Sequence, residues 1–403
     1  MGYFKDNRKV FILLNITHDC NMRCKYCYYQ QEMNEKPGKM SYEVLEAAIK
    51  RAAESSFEKL MFTAHGGEPL TRGMGFFTDM LDMQKKHLEG RSYSNFVQTN
   101  GTLLTREFIS LFNENDFGVS LSLDGPASMQ DKYRVYSNDR GTFDDIMKNI
   151  GIMEEIGLRF AALSVCSNDT VKNMLSYYDL FKEFKNFDGM DLVCPQIQYT
   201  PDMITTGYYG KGLIELFDRW FYDTECMFEI RVLSSFVFSI LLSRPRMCFF
   251  VNNCFSNYVM VSVEPDGSVS PCDSNPEIKI GNILDDSLES LIFKNPIKKM
   301  YSVGEQKRLE DCLFCEWYSC CNGGCPSLLD NNGKQLYCED YKMVLSHIKN
   351  TLEKVGVCRE EILGEESFKN IPNPCLRMQL KKIYKEIQGD SPDACNLEVK
   401  NPA

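Results

Sequence analysis

Hydrophobic and polar positions follow two rhythms along the first half of the chain. Short, mostly apolar runs lie at Val10–Thr17, Leu60–Ala64, Asn95–Thr99, Gly118–Leu123, Phe160–Val165 and Leu192–Tyr199, each the length of one strand. Between them the apolar spacing lengthens to the helical period. Helix-start residues stand where these stretches begin: Ser41 before EVLEAAIKRAAE, Thr105 before REFISLF, and Thr142 with Asp145, spaced as a capping box, before IMKNIGIMEEI. Six strand–helix repeats predict a parallel sheet with helices outside it. Right-handed crossovers curl such a sheet into part of a barrel, with chemistry at the C-terminal strand ends. The expected fold is α/β, a partial (β/α)6 TIM-like barrel over residues 1–244.

From about Pro245 the helical rhythm gives way to sequence rich in Gly, Pro, Asn and Cys, up to about residue 342. Such a region is expected to fold around metal more than around an apolar core. Residues 343–403 read as a helix from Tyr341 to Val355 that begins at the boundary, a second near Leu376–Ile387, and a loose polar tail.

Composition narrows the function classes. The chain has 403 residues, is 43% hydrophobic and carries a net charge of -11. Nucleic-acid binding asks for a basic face, which this balance disfavours. The most apolar stretch, Val232–Leu242, contains three serines and is shorter than the roughly 20 apolar residues needed to span a bilayer. It reads as a buried helix. The N-terminus has no apolar segment followed by a cleavage site, so a cytoplasmic protein is expected. Cysteine is the anomaly: 18 cysteines against 4 histidines, many at short spacings. In a large chain without a secretory signal that pattern points to metal or cluster ligation rather than disulfides.

The first motif is Cys20-x3-Cys24-x2-Cys27, directly after the first strand. Three thiolates can hold three irons of a [4Fe–4S] cluster and leave the fourth open to an outside ligand; three-quarters of a zinc site is the other reading. Two glycines, Gly66 and Gly67, allow close backbone approach, and Glu68 can bind an ammonium.

With Tyr26 before the third cysteine, and with His65-Gly66-Gly67-Glu68-Pro69, Gln98-Thr99-Asn100-Gly101 and Ser122-Leu123-Asp124-Gly125-Pro126 further on, the chain resembles the radical S-adenosylmethionine (SAM) superfamily. The resemblance implies that SAM chelates the open iron and is cleaved to a 5′-deoxyadenosyl radical. It implies that Tyr26 supports the adenine, Gly67 meets the methionyl amine, and Ser122 with Arg134 contacts the SAM carboxylate and ribose. A solvated loop arginine is the plainer reading of Arg134.

A second cysteine field holds Cys248, Cys254, Cys272, Cys312, Cys315, Cys321, Cys325 and Cys338. It resembles the SPASM domain, which carries two auxiliary [4Fe–4S] clusters. That resemblance assigns Cys248, Cys254, Cys272 and Cys325 to the nearer cluster and Cys312, Cys315, Cys321 and Cys338 to the farther one, so three clusters are expected in all. Zinc or rubredoxin-like iron is the alternative for four-thiolate sites. Cys166, Cys194, Cys226, Cys320, Cys358, Cys375 and Cys395 remain unassigned. The resemblance runs from about Val10 to Tyr341.

Two SPASM groups fit: maturases of ribosomally made peptides, which form thioether or other crosslinks or epimerise residues, and anaerobic sulfatase-maturating enzymes, which oxidise Cys or Ser to formylglycine. Asp273, directly after Cys272, stands where the second group places its proposed base; a turn-capping aspartate is its plainer reading. That group usually has Gln before GGEP where this chain has His65, and HGGEPL with CNGGCP looks more like the first. The sequence therefore favours a peptide maturase over a sulfatase maturase. A non-catalytic iron-sulfur sensor or electron carrier would not need the GGEP and SLDGP segments. The expected partners are a peptide or protein substrate and an electron donor such as flavodoxin or ferredoxin.

Overall fold

A computed structural model describes residues 9–27, 29, 38–194, 204–250, 254, 259–330 and 332–388. Its centre is one ten-stranded sheet. The barrel strands are β1 (Lys9–Thr17), β2 (Lys59–Gly66), β3 (Ser92–Thr99), β4 (Gly118–Ser122), β5 (Phe160–Val165) and β6 (Phe187–Val193), with a two-residue β7 (Glu229–Ile230) at one edge. They pair in parallel in sequence order, in registers such as Val10 with Leu60 and Val119 with Phe160. Between them run α1 (Tyr42–Glu54), α2 (Gly73–His87), α3 (Arg106–Glu114), α4 (Ala127–Tyr133), α5 (Phe143–Ile156) and α6 (Met174–Lys182). Helices α7 (Tyr208–Phe221) and α8 (Arg231–Leu242) complete the barrel half. In α1, Val44, Leu45, Ala48, Ile49 and Ala52 are buried, the i, i+4 stripe that packs a helix onto a sheet.

The α/β barrel with a C-terminal cysteine-rich domain is as the sequence predicts. Ser41 and Thr105 cap α1 and α3, accepting hydrogen bonds from Val44 N and Phe108 N. Val232–Leu242 is the buried helix expected. Three local readings need correction. The sixth strand is Phe187–Val193, earlier than Leu192–Tyr199; residues 195–199 lie outside the described residues. Asp188, Gly189 and Asp191 disguise it as a loop, yet Asp191 is buried against Arg231. The Thr142–Asp145 capping box does not form. Asp131 accepts from Thr142 N (2.7 Å) and Phe143 N (2.9 Å), while Asp145 accepts from Tyr136 and Arg140. Finally, the cysteine-rich region contains a regular helix, α9 (Pro296–Arg308).

That region is also less separate than expected. Its strand β8 (Met260–Val263) adds in parallel to β1, and β9 (Ser268–Ser270) and β10 (Gly281–Asn282) continue the sheet in antiparallel. Val261, Val263 and Val269 are fully buried. Helices α10 (Cys338–Lys354) and α11 (Pro374–Gln388) close the chain, α10 packing on α7. No helix among the described residues is long and apolar enough to cross a membrane.

Candidate active site

The loop after β1 carries Cys20, Cys24 and Cys27 on a braced backbone. Arg23 N and Lys25 N donate to Val135 O and Tyr133 O, at 2.7 and 2.8 Å, and Met22 is buried beneath. The three thiols lie close enough to disfavour one another's ionisation. Burial, with neighbouring Glu68 and the other thiols, pushes Cys20 up to about 12; burial does the same to Cys24. Grouped soft sulfurs that do not ionise unaided suit a metal that draws the protons off. Asn100 Nδ2 faces Cys20 Sγ at 3.9 Å.

Gly66 and Gly67 make the close approach the sequence suggests, but to the chain itself. A Cβ on Gly66 would lie 2.2 Å from Thr17 O, and one on Gly67 2.4 Å from Asp19 O. Gly67 N and Glu68 N donate to Thr17 O and Asp19 O, both at 2.8 Å, clamping this turn to the entry of the cysteine loop. Glu68 also differs from its expected role as an ammonium ligand. It is 0% exposed. Oε1 accepts from Leu70 N (3.0 Å) and Thr99 Oγ1 (2.7 Å), and Oε2 accepts from Asn100 N (2.7 Å). Its carboxylate braces the ends of β2 and β3. Burial raises it to about 7 although three donors pull the other way.

Arg134 is not a solvated loop residue: it is 7% exposed and pairs with Asp124 Oδ1 at 3.0 Å. Asp124 also accepts from Val165 N (2.9 Å) and, on Oδ2, from the Tyr26 hydroxyl. The Arg134 guanidinium sits 5.3 Å from the Tyr26 ring centre, and its Nε is buried without a partner. Ser122 Oγ accepts from Gln98 Nε2 at 3.1 Å, and Gln98 Oε1 is likewise unpartnered. Tyr26, Ser122 and Arg134 thus surround the C-terminal end of β4, with unused polar atoms that a polar cofactor such as SAM can engage.

A second polar group sits where β1, β2 and β8 end. Asn15 donates to Ser262 Oγ (3.2 Å) and Glu264 Oε1 (2.9 Å), Tyr29 donates to Asn15 (3.0 Å), and His18 meets Glu264 at 3.1 Å. His65 lies beside Tyr29, ring centres 5.9 Å apart, and its Nδ1 is buried without a partner. Burial lowers the His65 imidazole, opposed by the nearby Asp273 and Glu264 carboxylates. Asp273 is half-buried and neighbours both His65 and the thiols of Cys248 and Cys272.

The second cysteine field separates into two groups. Cys248 neighbours Cys272 and Cys325, and Cys254 joins Cys272 around Lys298. Cys321 neighbours Cys338, Cys315 and Cys312. Asn275 Nδ2 donates to Cys272 Sγ (3.1 Å) and Ser327 N to Cys325 Sγ (3.4 Å). Among the described residues no three His, Cys, Asp or Glu side chains converge where a single ion could be held. Cys320 is buried. Cys166, Cys226 and Cys375 are buried, Cys194 and Cys358 half-buried, and Cys395 lies outside the described residues.

Sequence reasoning missed Asp124 as a hub, and it missed Thr99, Asn100, Asn15, His18 and Glu264. Asp124, Thr99 and Asn100 lie inside motifs already singled out, so their strand-end position was a usable signal. Glu264 had none before β8 was known to pair with β1.

The Radical SAM superfamily model matches residues 14–176, and the SPASM model, an iron-sulfur cluster-binding domain, matches 254–322. A cysteine-type anaerobic sulfatase-maturating enzyme of Clostridium novyi is 30% identical, over 81% of this chain and 91% of that protein. This chain belongs to the anaerobic sulfatase-maturating family of radical SAM enzymes. A serine-type relative from Bacteroides thetaiotaomicron is 28% identical over 91% of this chain and 94% of its own. A solved structure, native anSMEcpe with bound AdoMet and Cp18Cys peptide, superposes with a TM-score of 0.77 at 27% identity, covering 86% of this chain and 98% of that one. The preference for a peptide maturase is thereby corrected toward the alternative. The short forms HGGEPL and CNGGCP outweighed Asp273 in the sequence, whereas these likenesses extend over most of the chain.

Proposed function

We propose that this enzyme matures sulfatases, oxidising a cysteine or serine of a sulfatase polypeptide to formylglycine. The observation that carries the reading is that likeness to sulfatase-maturating enzymes runs through both cysteine fields and the barrel together. When bound, an iron-sulfur cluster at Cys20, Cys24 and Cys27 with SAM supplies a 5′-deoxyadenosyl radical for hydrogen abstraction. Tyr26, Ser122 and Arg134 orient SAM, Asp124 fixes the last of these, and Gly66, Gly67 and Glu68 hold the cysteine loop against the ends of β2 and β3. Asp273 accepts the proton that the substrate loses, with His65 beside it. Cys248, Cys254, Cys272 and Cys325 would hold one auxiliary cluster, able to take the electron that the substrate radical gives up with that proton, and Cys312, Cys315, Cys321 and Cys338 would hold another. A carrier such as flavodoxin or ferredoxin delivers the electron.

The test uses reconstituted enzyme, reduced flavodoxin, SAM and sulfatase peptides with Cys or Ser at the target position. Formylglycine, read by mass and by hydrazine capture of the aldehyde, is the expected product. Deoxyadenosine without aldehyde on either peptide would return the reading to peptide crosslinking. Asp273→Asn is expected to retain SAM cleavage but to lower aldehyde formation by about 10²–10⁴, the usual weight of a general base. Equal loss of deoxyadenosine would make Asp273 a structural residue.

A further inference from the structure

Helix α9 is inverted over residues 297–303. Ile297, Met300, Tyr301 and Val303 stand in solvent, while Lys298 and Ser302 are buried, Lys298 to 4% exposure. Apolar side chains normally take the inner face of a surface helix. The inversion is set at its first turn: Asn295 Oδ1 accepts from Ile297 N (3.0 Å) and Lys298 N (3.3 Å), and Asn295 Nδ2 donates to Ile280 O.

A buried ammonium is costly unless an anion compensates it. Among the described residues no carboxylate is paired with Lys298; the groups beside it that can carry negative charge are the Cys254 and Cys272 thiols. Of the other cations near the auxiliary cysteines, Lys334, near Cys338, is exposed, and the rest are paired. Arg231, near Cys248, is paired with Asp191, and Lys342, near Cys338, is partly exposed and paired with Glu339 at 2.9 Å.

We propose that Lys298 is the buried counter-cation of the nearer auxiliary cluster and, by its charge, favours that cluster's reduced, more negative state. This rests on assigning Cys248, Cys254, Cys272 and Cys325 to one cluster. It makes Lys298 a positioning residue for charge, acting on the cluster and not on the substrate. The lysines near the farther set, Lys334 and Lys342 beside Cys338, are not buried, so a buried counter-cation belongs to one cluster alone.

The test is a redox titration of the reconstituted holoenzyme followed by electron paramagnetic resonance at one fixed pH. The nearer cluster's signal is identified as the one lost in Cys248→Ala. Lys298→Met is expected to shift that signal's midpoint to more negative potential and to leave the other signals unmoved; Lys298→Arg is expected to keep the wild-type midpoint. A wild-type midpoint in a fully loaded Lys298→Met protein overturns the proposal. If Lys298→Met fails to load the nearer cluster, Lys298→Arg decides. Loading restored by Arg supports a need for charge, and loading lost in both means that Lys298 only fills space. If no wild-type signal is lost in Cys248→Ala, the cluster assignment itself fails and takes the proposal with it.

Discussion

Asp124 carries more of this site than any residue the motifs advertise. Its carboxylate takes the Arg134 guanidinium, Val165 N and the Tyr26 hydroxyl at 2% exposure. Asp124→Asn removes the charge that compensates a buried guanidinium, a change worth about 3–5 kcal/mol where no new partner appears. A lower melting temperature and weaker SAM binding by calorimetry are expected together. Unchanged melting would mean that water has reached Arg134. Glu68 gives a pH test. Its folded value, about 7, lies above the ordinary 4.5, so the folded chain holds a proton that the unfolded chain has released. Stability from Glu68 is complete below about pH 4.5 and is lost as pH rises through about 7. Glu68→Gln removes this titration but turns an amide N–H toward Leu70 N and Thr99 or toward Asn100 N. It is expected to cost about 1–3 kcal/mol at pH 5 and less at pH 7.5, measured by urea unfolding at both. An equal cost at both pH values would show that Glu68 is ionised throughout. The sequence made these residues visible as types but not as partners, because Glu68 and an ammonium, or Glu68 and three backbone and hydroxyl donors, look alike in one dimension.

At the scale of elements, strand order and helix caps were readable because they depend on local rules, Ser41 and Thr105 above all. What local rules could not supply was contact across the chain. Thr142 had the right spacing for a capping box, but Asp131, eleven residues away, reached its N–H first. β8 carries alternating valines, yet nothing in Met260–Val263 says that it pairs with β1. The turn at Gly66–Glu68 shows how such contact builds the site. Its backbone donors hold Thr17 and Asp19, the residues that lead into the cysteine loop. A methyl group on Gly67 would meet the carbonyls of His18 and Asp19 at 2.6 and 2.4 Å, backbone atoms that move only if the loop moves. Gly67→Ala is therefore expected to cost about 1–3 kcal/mol, the range for overpacking. It should also lower the iron held by the first cysteine set while sparing the auxiliary sets. Full iron and normal deoxyadenosine production by Gly67→Ala would show that the loop tolerates the shift.

The whole molecule places its three cysteine sets on separate supports joined by one sheet. The first set rides on the loop after β1, braced by Val135 and Tyr133 near α4. The nearer auxiliary set draws on the segment after α8, the chain beyond β9 and the loop at Cys325, with Lys298 of α9 packed beside it. The farther set combines Cys312, Cys315 and Cys321 with Cys338 at the start of α10. On the proposed assignment no cysteine is shared, so emptying one set removes no ligand from another. A chain with three [4Fe–4S] clusters holds about twelve irons. Cys20→Ala, Cys24→Ala and Cys27→Ala together are expected to lower this to about eight, to abolish reductive SAM cleavage, and to leave the auxiliary resonance signals unchanged. The β1–β8 pairing rests on backbone hydrogen bonds and valines that these substitutions do not touch. Iron falling to near zero in the triple variant would mean that the auxiliary domain needs the first cluster to fold. Deoxyadenosine still formed at the wild-type rate would mean that SAM is cleaved at a different set.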